Sequence, residues 1–482
     1  MKRAILVARG ELTLLLRSRV AALGLGTLLA LSAIAAATSY AHMAGERSVR
    51  SAQQQATDDL FAAQPARHPH RVVHYGSFAH RPLGVLAAFD PGVDRYTGTT
   101  LYLEGHRQNA AAFGAARESS GLIRFGELTP AFVLQVLTPL LLVFMGFPMV
   151  ARERENGSLV PLRALGVQPG ELLLGKALAL AALAALAMLP TVAALAAASL
   201  LAPTEAIGAG MIALAYALYL LVWVVLIVAV SGLCHRSRTA LVTLVAVWAG
   251  MTIVVPRLAA DIASRTAPQP SRIENDLALQ TDLRRIGDSH DPNDPFFADF
   301  RRRTLQQFGV ARIEDLPLNY RGLVSLEGEA LTSRLFVQYA LKTMGIQRRQ
   351  VTLMDRFAVL SPALAARRVS MAAAGTDLEN HWRFLQQAEA FRFDMVQRLN
   401  RLHAEAVDFA DDSARSRDAA SERRSRVGAG NWAAIPDFRF VPDTPAGRLA
   451  AAGNSFGMLL AWLCLALALG GLAARRMRAE GP

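Results

Sequence analysis

Three groups of residues in this 482-residue chain have types and spacings that can do chemistry. Gly170-Glu-Leu-Leu-Leu-Gly175-Lys176-Ala177 comes within one residue of the phosphate-cradling loop G-x-x-x-x-G-K-[ST]. That loop ends on a hydroxyl residue that holds Mg²⁺. Here the position is Ala177, the intervening residues are mostly leucines, and the segment opens an apolar run, so the chain is not expected to bind nucleotide. His290 with Asp291 and Asp294, and His381 with Asp377, are metal-ligating types. Neither group has the spacing of a closed metal site, and helix capping accounts for the three aspartates equally well. No metal or other cofactor is therefore expected. No Ser/His/Asp or paired-carboxylate constellation stands out, and paired ionisable residues within the apolar runs are lacking, which argues against an enzyme. The third group, Glu153 and Glu155, closes an apolar run and opens a basic loop, where carboxylates can pair with a basic rim on a partner protein.

The elements that carry these residues follow from hydropathy. The composition is 52% hydrophobic and 19% charged, and the apolar residues gather into runs instead of alternating at core periods. A run of about 20 apolar residues matches a hydrocarbon layer roughly 30 Å thick. Within that layer a single segment satisfies its backbone only as a helix. Six such spans are expected, at residues 21–42, 130–151, 177–202, 207–234, 239–256 and 454–474. The fold class is thus a mainly α membrane protein. Residues 1–20 are basic and amphipathic, suited to lie in the headgroup plane. The apolar run after them is too long for a signal peptide and reads as a retained first span. Gly, Ala, Ser and Thr abound in the spans, which suits close helix packing and dimerisation. Tyr216, Tyr219, Trp223 and Trp248 read as interfacial anchors or packing.

Lys and Arg set the orientation. Segments 1–20, 152–176, 235–238 and 475–482 hold five, four, two and three of them, whereas the short connection 203–206 holds none. Both termini are expected in the cytoplasm and the polar stretches 43–129 and 257–453 outside it. The +12 net charge is read as this topology, with no nucleic-acid partner, since no basic block interleaved with aromatics occurs. Cys234 and Cys464 lie in or beside apolar runs and staple neither polar stretch. Segment 43–129 mixes β-favouring pieces at 71–75 and 99–103 with the turn Asp90-Pro91-Gly92, predicting a small mixed α/β domain. Segment 257–453 is mainly helical in pattern: Trp382, Phe384, Leu385, Phe391, Met395, Leu399 and Leu402 recur at helical spacing. Residues 415–426 are polar enough for a solvated helix end or a mobile loop.

The loop 151–180 carries the functional signal. Glu153 and Glu155, Gly157-Ser158-Leu159, Leu162 and Leu165, Gln168-Pro169-Gly170 and Leu174-Gly175-Lys176 follow in that order. This order resembles the signature cytoplasmic loop of ABC-2 permeases, the membrane subunits of ATP-binding-cassette transporters. Gly170-Glu171 replaces the basic or polar residue usual after the proline. The resemblance implies that Glu153, Glu155, Gly157, Leu159, Leu162, Leu165, Pro169 and Lys176 contact a separate ATP-binding subunit. Residues 160–165, apolar on one side, suit a helix seated in a partner's groove.

Two stretches of the second polar segment, 290–329 and 360–400, resemble an ABC-2 subgroup with a large extracytoplasmic insertion before its last span. The matching residues are Asp315-Leu316-Pro317, Asn319, Gly322, Ser361-Pro362, Gly375-Thr376-Asp377, His381, Glu389 and Arg392. A looser likeness extends to permeases that support maturation of copper enzymes. The resemblance implies a bacterial inner-membrane permease paired with a second permease copy or paralogue and with ATPase subunits that bind the ATP. It would export a substrate or transmit motion outward. The alternative is a membrane scaffold whose outer domains dock a periplasmic partner without translocation.

Overall fold

The computed structural model describes residues 1–112, 128–289, 291 and 293–479, and the outer candidate His290 lies outside them. Among the described residues six helices are long and apolar enough to cross a membrane, the pattern of a multi-pass membrane protein. They are α2 (Arg19–Ala62), α4 (Pro130–Glu155), α6 (Pro169–Leu201), α7 (Ala206–Leu233), α8 (Ser237–Thr266) and α17 (Pro445–Ala479). Each covers one expected span to within a residue, but three run well beyond it on the side away from the N-terminus. Helix α2 continues as far as Ala62 because the polar half after Gly45 is rich in helix-forming residues and free of proline. Leaving an apolar layer changes composition without ending a helix.

At the N-terminal end, α1 (Lys2–Arg17) lies against the start of α6. A Cβ on Gly175 would stand 2.6 Å from the carbonyl oxygen of Ala4, so the two backbones touch there and only glycine fits. Ser18 then caps α2. Helix α7 forms the centre of the bundle, packed by α6 and α17, and its Tyr216, Tyr219 and Trp223 are fully buried. Packing, not interfacial anchoring, is their role. Trp248 is half-buried.

Two spans contain π-type turns, Val133–Leu137 in α4 and Gly250–Val254 in α8. Such a turn breaks the i→i−4 ladder, and in an apolar layer the freed carbonyls need other partners. Neighbouring side chains supply them. Tyr219 Oη donates to Gln135 O (2.8 Å), Trp248 Nε1 to Val136 O (3.1 Å) and Ser361 Oγ to Met251 O.

The opposite end is a large polar body. It comprises α3 (Pro69–Tyr75), a three-stranded antiparallel sheet of β1 (Ser77–His80), β2 (Thr100–Glu104) and β3 (Arg107–Gln108), and a helical set. The helices are α9 (Arg272–Ile286), α10 (Pro295–Phe308), α11 (Tyr320–Arg356), α12 (Pro362–Ala374), α13 (Leu378–Ala406), α14 (Phe409–Ala414), α15 (Ala419–Arg424) and α16 (Gly430–Ala433). The strand expected at 99–103 is present as β2, and Asp90 Oδ1 closes the expected turn on Gly92 N. The piece at 71–75 is helical instead. Pro69 at the first helical position and the His68 cap start a turn, and Val72 and Val73 bury one face of it completely. Local β preference gave way to tertiary packing.

The two polar segments were expected as separate domains, and they share one core. Phe61, Val72, Val73, Leu101 and Leu103 from the first pack with Phe384, Met395, Val396, Leu399, Trp432 and Phe438 from the second. Trp432 Nε1 donates to Gln64 O (2.8 Å), and Arg67 pairs with Val427 through backbone hydrogen bonds. Helix α12, almost entirely buried alanine and valine on its inner face, wedges between α7 and α17 and merges the body with the bundle core. Arg448 Nη1 at the outer end of α17 reaches Glu205 Oε2 (2.6 Å) between α6 and α7. Body and bundle are one packed object.

Candidate functional site

The loop between α4 and α6 is built on a set of internal ion pairs. Lys176 is 1% exposed and its Nζ sits 2.8 Å from both Glu11 Oε2 of α1 and Glu153 Oε1 of α4. Glu155 accepts from the N–H (2.9 Å) and the hydroxyl (2.5 Å) of Ser237, capping the first turn of α8. Arg154 Nη1 donates to Cys234 O (3.0 Å), and Arg3 Nη1 to Gly166 O. Ser231 Oγ accepts from Val150 N and Ala151 N while donating to Phe147 O, locking the end of α4 onto α7. Five elements thus meet at one junction.

From this base a short helix, α5 (Leu159–Ala164), projects between Gly157 (φ 71°) and Gly166 (φ 81°), whose left-handed backbone glycine tolerates at no steric cost. Of the eight candidate contact residues, Lys176, Pro169 and Leu159 are buried inside the chain, and Glu153 and Glu155 have internal partners. Gly157 and Leu165 are exposed and Leu162 half-buried, and Val160, 54% exposed, joins Leu165, 75% exposed, at the tip. The tip of α5 is therefore apolar, while the acidic pair braces the base of the loop and Glu155 stays exposed there.

A second cluster lies in the polar body, and sequence reasoning missed it. Helix α3 carries His70 and His74 four residues apart on one face, with Nε2 atoms 3.2 Å from each other. The β2–β3 hairpin is pinned to α3 by Gly105 N donating to Val73 O (3.2 Å), which brings His106 alongside. Its ring lies 5.7 and 5.3 Å, centroid to centroid, from those of His70 and His74. One side-chain nitrogen from each of the three falls within 4.8 Å of the others. His106 has φ 63°, alone among described non-glycine residues in the left-handed region. The buried Glu329 carboxylate accepts from His106 N (3.0 Å) and stands 3.5 Å from its Nδ1. Burial, reinforced by the neighbouring imidazoles, lowers His70 to about 3, so it is neutral at physiological pH.

Behind this trio, His68, His403 and Asp412 form a fully buried set. Asp412 accepts from His403 Nε2 (2.9 Å) and Asn319 Nδ2 (3.1 Å), and lies 3.2 Å from His68 Nε2 and 3.0 Å from Arg415 Nε. His68 Nδ1 accepts from His70 N (3.2 Å). This set fixes the start of α3 against α13 and α14.

Residues 272–441 match the model of a family described as a domain of unknown function (DUF3526). The match spans much of the helical part of the polar body, including His403, Asp412 and Glu329, and leaves the bundle and the loop of α5 outside it. No curated protein matches the chain.

The three aspartates weighed from sequence as metal ligands make other contacts. Asp294 caps α10 through Phe296 N and Phe297 N, and Asp291 Oδ1 accepts from Asn293 N. Asp377 caps α13 through Asn380 N and lies 3.5 Å from Arg368. His381 is buried, with Nδ1 lacking a hydrogen-bond partner among the described residues. Burial, with Arg81 nearby, lowers it to about 3. The unfolded state takes up this proton near pH 6.5 and the folded state does not, so stability is full above that pH and falls steadily toward pH 3. The loss is on the order of 2 kcal/mol at pH 5 from this group. His381→Leu is expected to flatten the decline, raising the melting temperature at pH 5 more than at pH 7.5. Equal shifts at both pH values would remove His381 as the cause.

Proposed function

We propose that this chain is the permease subunit of an ABC-2 type transporter, with α5 as the element that meets a separate ATP-binding subunit. The observation that carries the reading is the exposed apolar tip, Val160 and Leu165, on a short helix that projects from a junction of five elements. A bare apolar tip on a stiff base fits a groove on a partner and passes displacement to the spans. Fourteen of the chain's basic residues lie on short segments at the same end as α5 or flanking it, which favours that end as cytoplasmic. A second permease copy would complete the assembly. The central packing of Tyr216, Tyr219 and Trp223, and the wedge of α12 between spans, favour transmission of motion to the polar body over carriage of cargo through this subunit.

The test is co-purification with a candidate ATP-binding subunit expressed together with this chain. Leu165→Asp together with Val160→Asp places two carboxylates in an apolar contact and is expected to lower association at least tenfold, about 1.4 kcal/mol. The fold should be unaffected, since both side chains are exposed. Unchanged association and unchanged stimulation of ATP hydrolysis would overturn this assignment of α5.

A further inference from the structure

We propose that His70, His74 and His106 form a binding site for a divalent first-row transition ion of the Zn²⁺ class at the surface of the polar body. Three observations converge. His70 and His74 stand at i and i+4 with their Nε2 atoms 3.2 Å apart. Two nitrogens each 2.0–2.1 Å from a tetrahedral ion lie roughly 3.3 Å apart, so this pair already has the separation of joint ligands. The third ring is delivered by a backbone under strain. A non-glycine residue at φ 63° in a tight hairpin costs energy that glycine at the same place would not, and such strain persists where the side chain is needed. Lastly, the buried Glu329 carboxylate lies at Nδ1 of His106, the arrangement by which an outer carboxylate fixes the tautomer and orientation of a ligating imidazole.

The donor set selects the ion. Three imidazoles with no thiolate and no carboxylate among them suit Zn²⁺, Cu²⁺ or Ni²⁺ and not Ca²⁺ or Mg²⁺. His74 is exposed while His70 and His106 are half-buried, so the group faces solvent at His74, and among the described residues these three imidazoles make up the ligand set. The neighbouring His68–His403–Asp412 set is not a second such site. Its carboxylate is occupied by two imidazoles, Asn319 and the Arg415 cation, and its role is to hold α3 in place. The α3 segment and the hairpin belong to the first polar segment, whereas Glu329 belongs to the second, so the ion would also tie the β2–β3 turn to α3 where the two segments join.

The experiment uses the full chain, purified in detergent with chelator and then freed of it, and titrated with Co²⁺ and Zn²⁺ alone. One Co²⁺ per chain is expected, with visible ligand-field bands that Zn²⁺ displaces. His74→Ala, at an exposed position, should weaken binding at least tenfold. His106→Gly is the sharper variant, because it relieves the backbone: the metal-free protein should melt no lower than wild type while Zn²⁺ affinity falls at least tenfold. Absence of stoichiometric Co²⁺ uptake by wild type overturns the proposal. So does binding by His74→Ala and His106→Gly equal to wild type, which would assign the ion to scattered surface histidines.

Discussion

Arg392→Met is expected to cost about 3–5 kcal/mol and to loosen the polar body while leaving the spans folded, because it strands two buried carboxylates. Arg392 is 1% exposed, and its guanidinium reaches Glu329 Oε1 (2.6 Å), Glu389 Oε1 (2.7 Å) and Oε2 (2.9 Å), Ser333 Oγ (2.7 Å) and Glu104 O (3.1 Å). The last of these comes from the first polar segment, so one side chain joins α13, α11 and β2. Burial alone would raise Glu329, but Arg392 and the His106 N–H outweigh it and hold it below the ordinary glutamate value. The stability this confers is present above about pH 4.3 and is lost as the pH falls through the lower folded-state value. Hydrogen exchange gives the readout: amides of Leu378–Ala406 should lose at least a hundredfold of protection in Arg392→Met, and those of Ala206–Leu233 should change little. Adding Glu329→Gln and Glu389→Gln should restore much of the loss, since the damage comes from unpaired charge. Unaltered exchange in Arg392→Met would show that the apolar cluster alone holds the segments together.

The second large effect is expected at the other end. Lys176→Met removes the cation shared by Glu11 and Glu153 and leaves both carboxylates facing each other at the junction, a change of about 3–5 kcal/mol for a broken buried pair. The contact most exposed to this loss is α1 on α6, which depends on the close approach at Gly175. Residues 2–17 should become sensitive to protease and exchange rapidly, while the polar body keeps its protection. Coupling Lys176→Met with Glu11→Gln and Glu153→Gln should recover the docking of α1. A protease pattern identical to wild type in Lys176→Met would mean that packing alone seats the helix.

The spans were legible because an apolar run of bilayer length admits one backbone solution. Their outer limits were not, as the polar half of α2 shows: Glu46, Arg50, Gln54 and Asp58 mark departure from an apolar environment, and nothing there halts the helix. Residues 71–75 misled because Arg-Val-Val-His-Tyr favours a strand locally, and the decisive information was Pro69 just before it. The short helix α5 was visible from the order of its residues, but Lys176 could not be seen as internal, since its partners come from α1 and α4. His70 and His74 carried a readable i, i+4 signal. His106 and Glu329 did not, because only the fold brings them to α3. Arg392 and Glu389 stand out in the sequence by resemblance alone, which does not show that Glu329 supplies the second carboxylate of the set.

Helix α2 is unbroken over 44 residues, about 66 Å at 1.5 Å per residue and roughly twice the thickness of a hydrocarbon layer. Its lower end is seated beside α1, and its upper end places Phe61, 7% exposed, in the core shared by both polar segments. A pivot of only three degrees at the foot swings Phe61 sideways by roughly 3 Å. A close-packed interior does not absorb a displacement of that size. The crown of the molecule must therefore ride with the shaft, so small rotations among the spans are geared up into ångström-scale travel far from the bilayer.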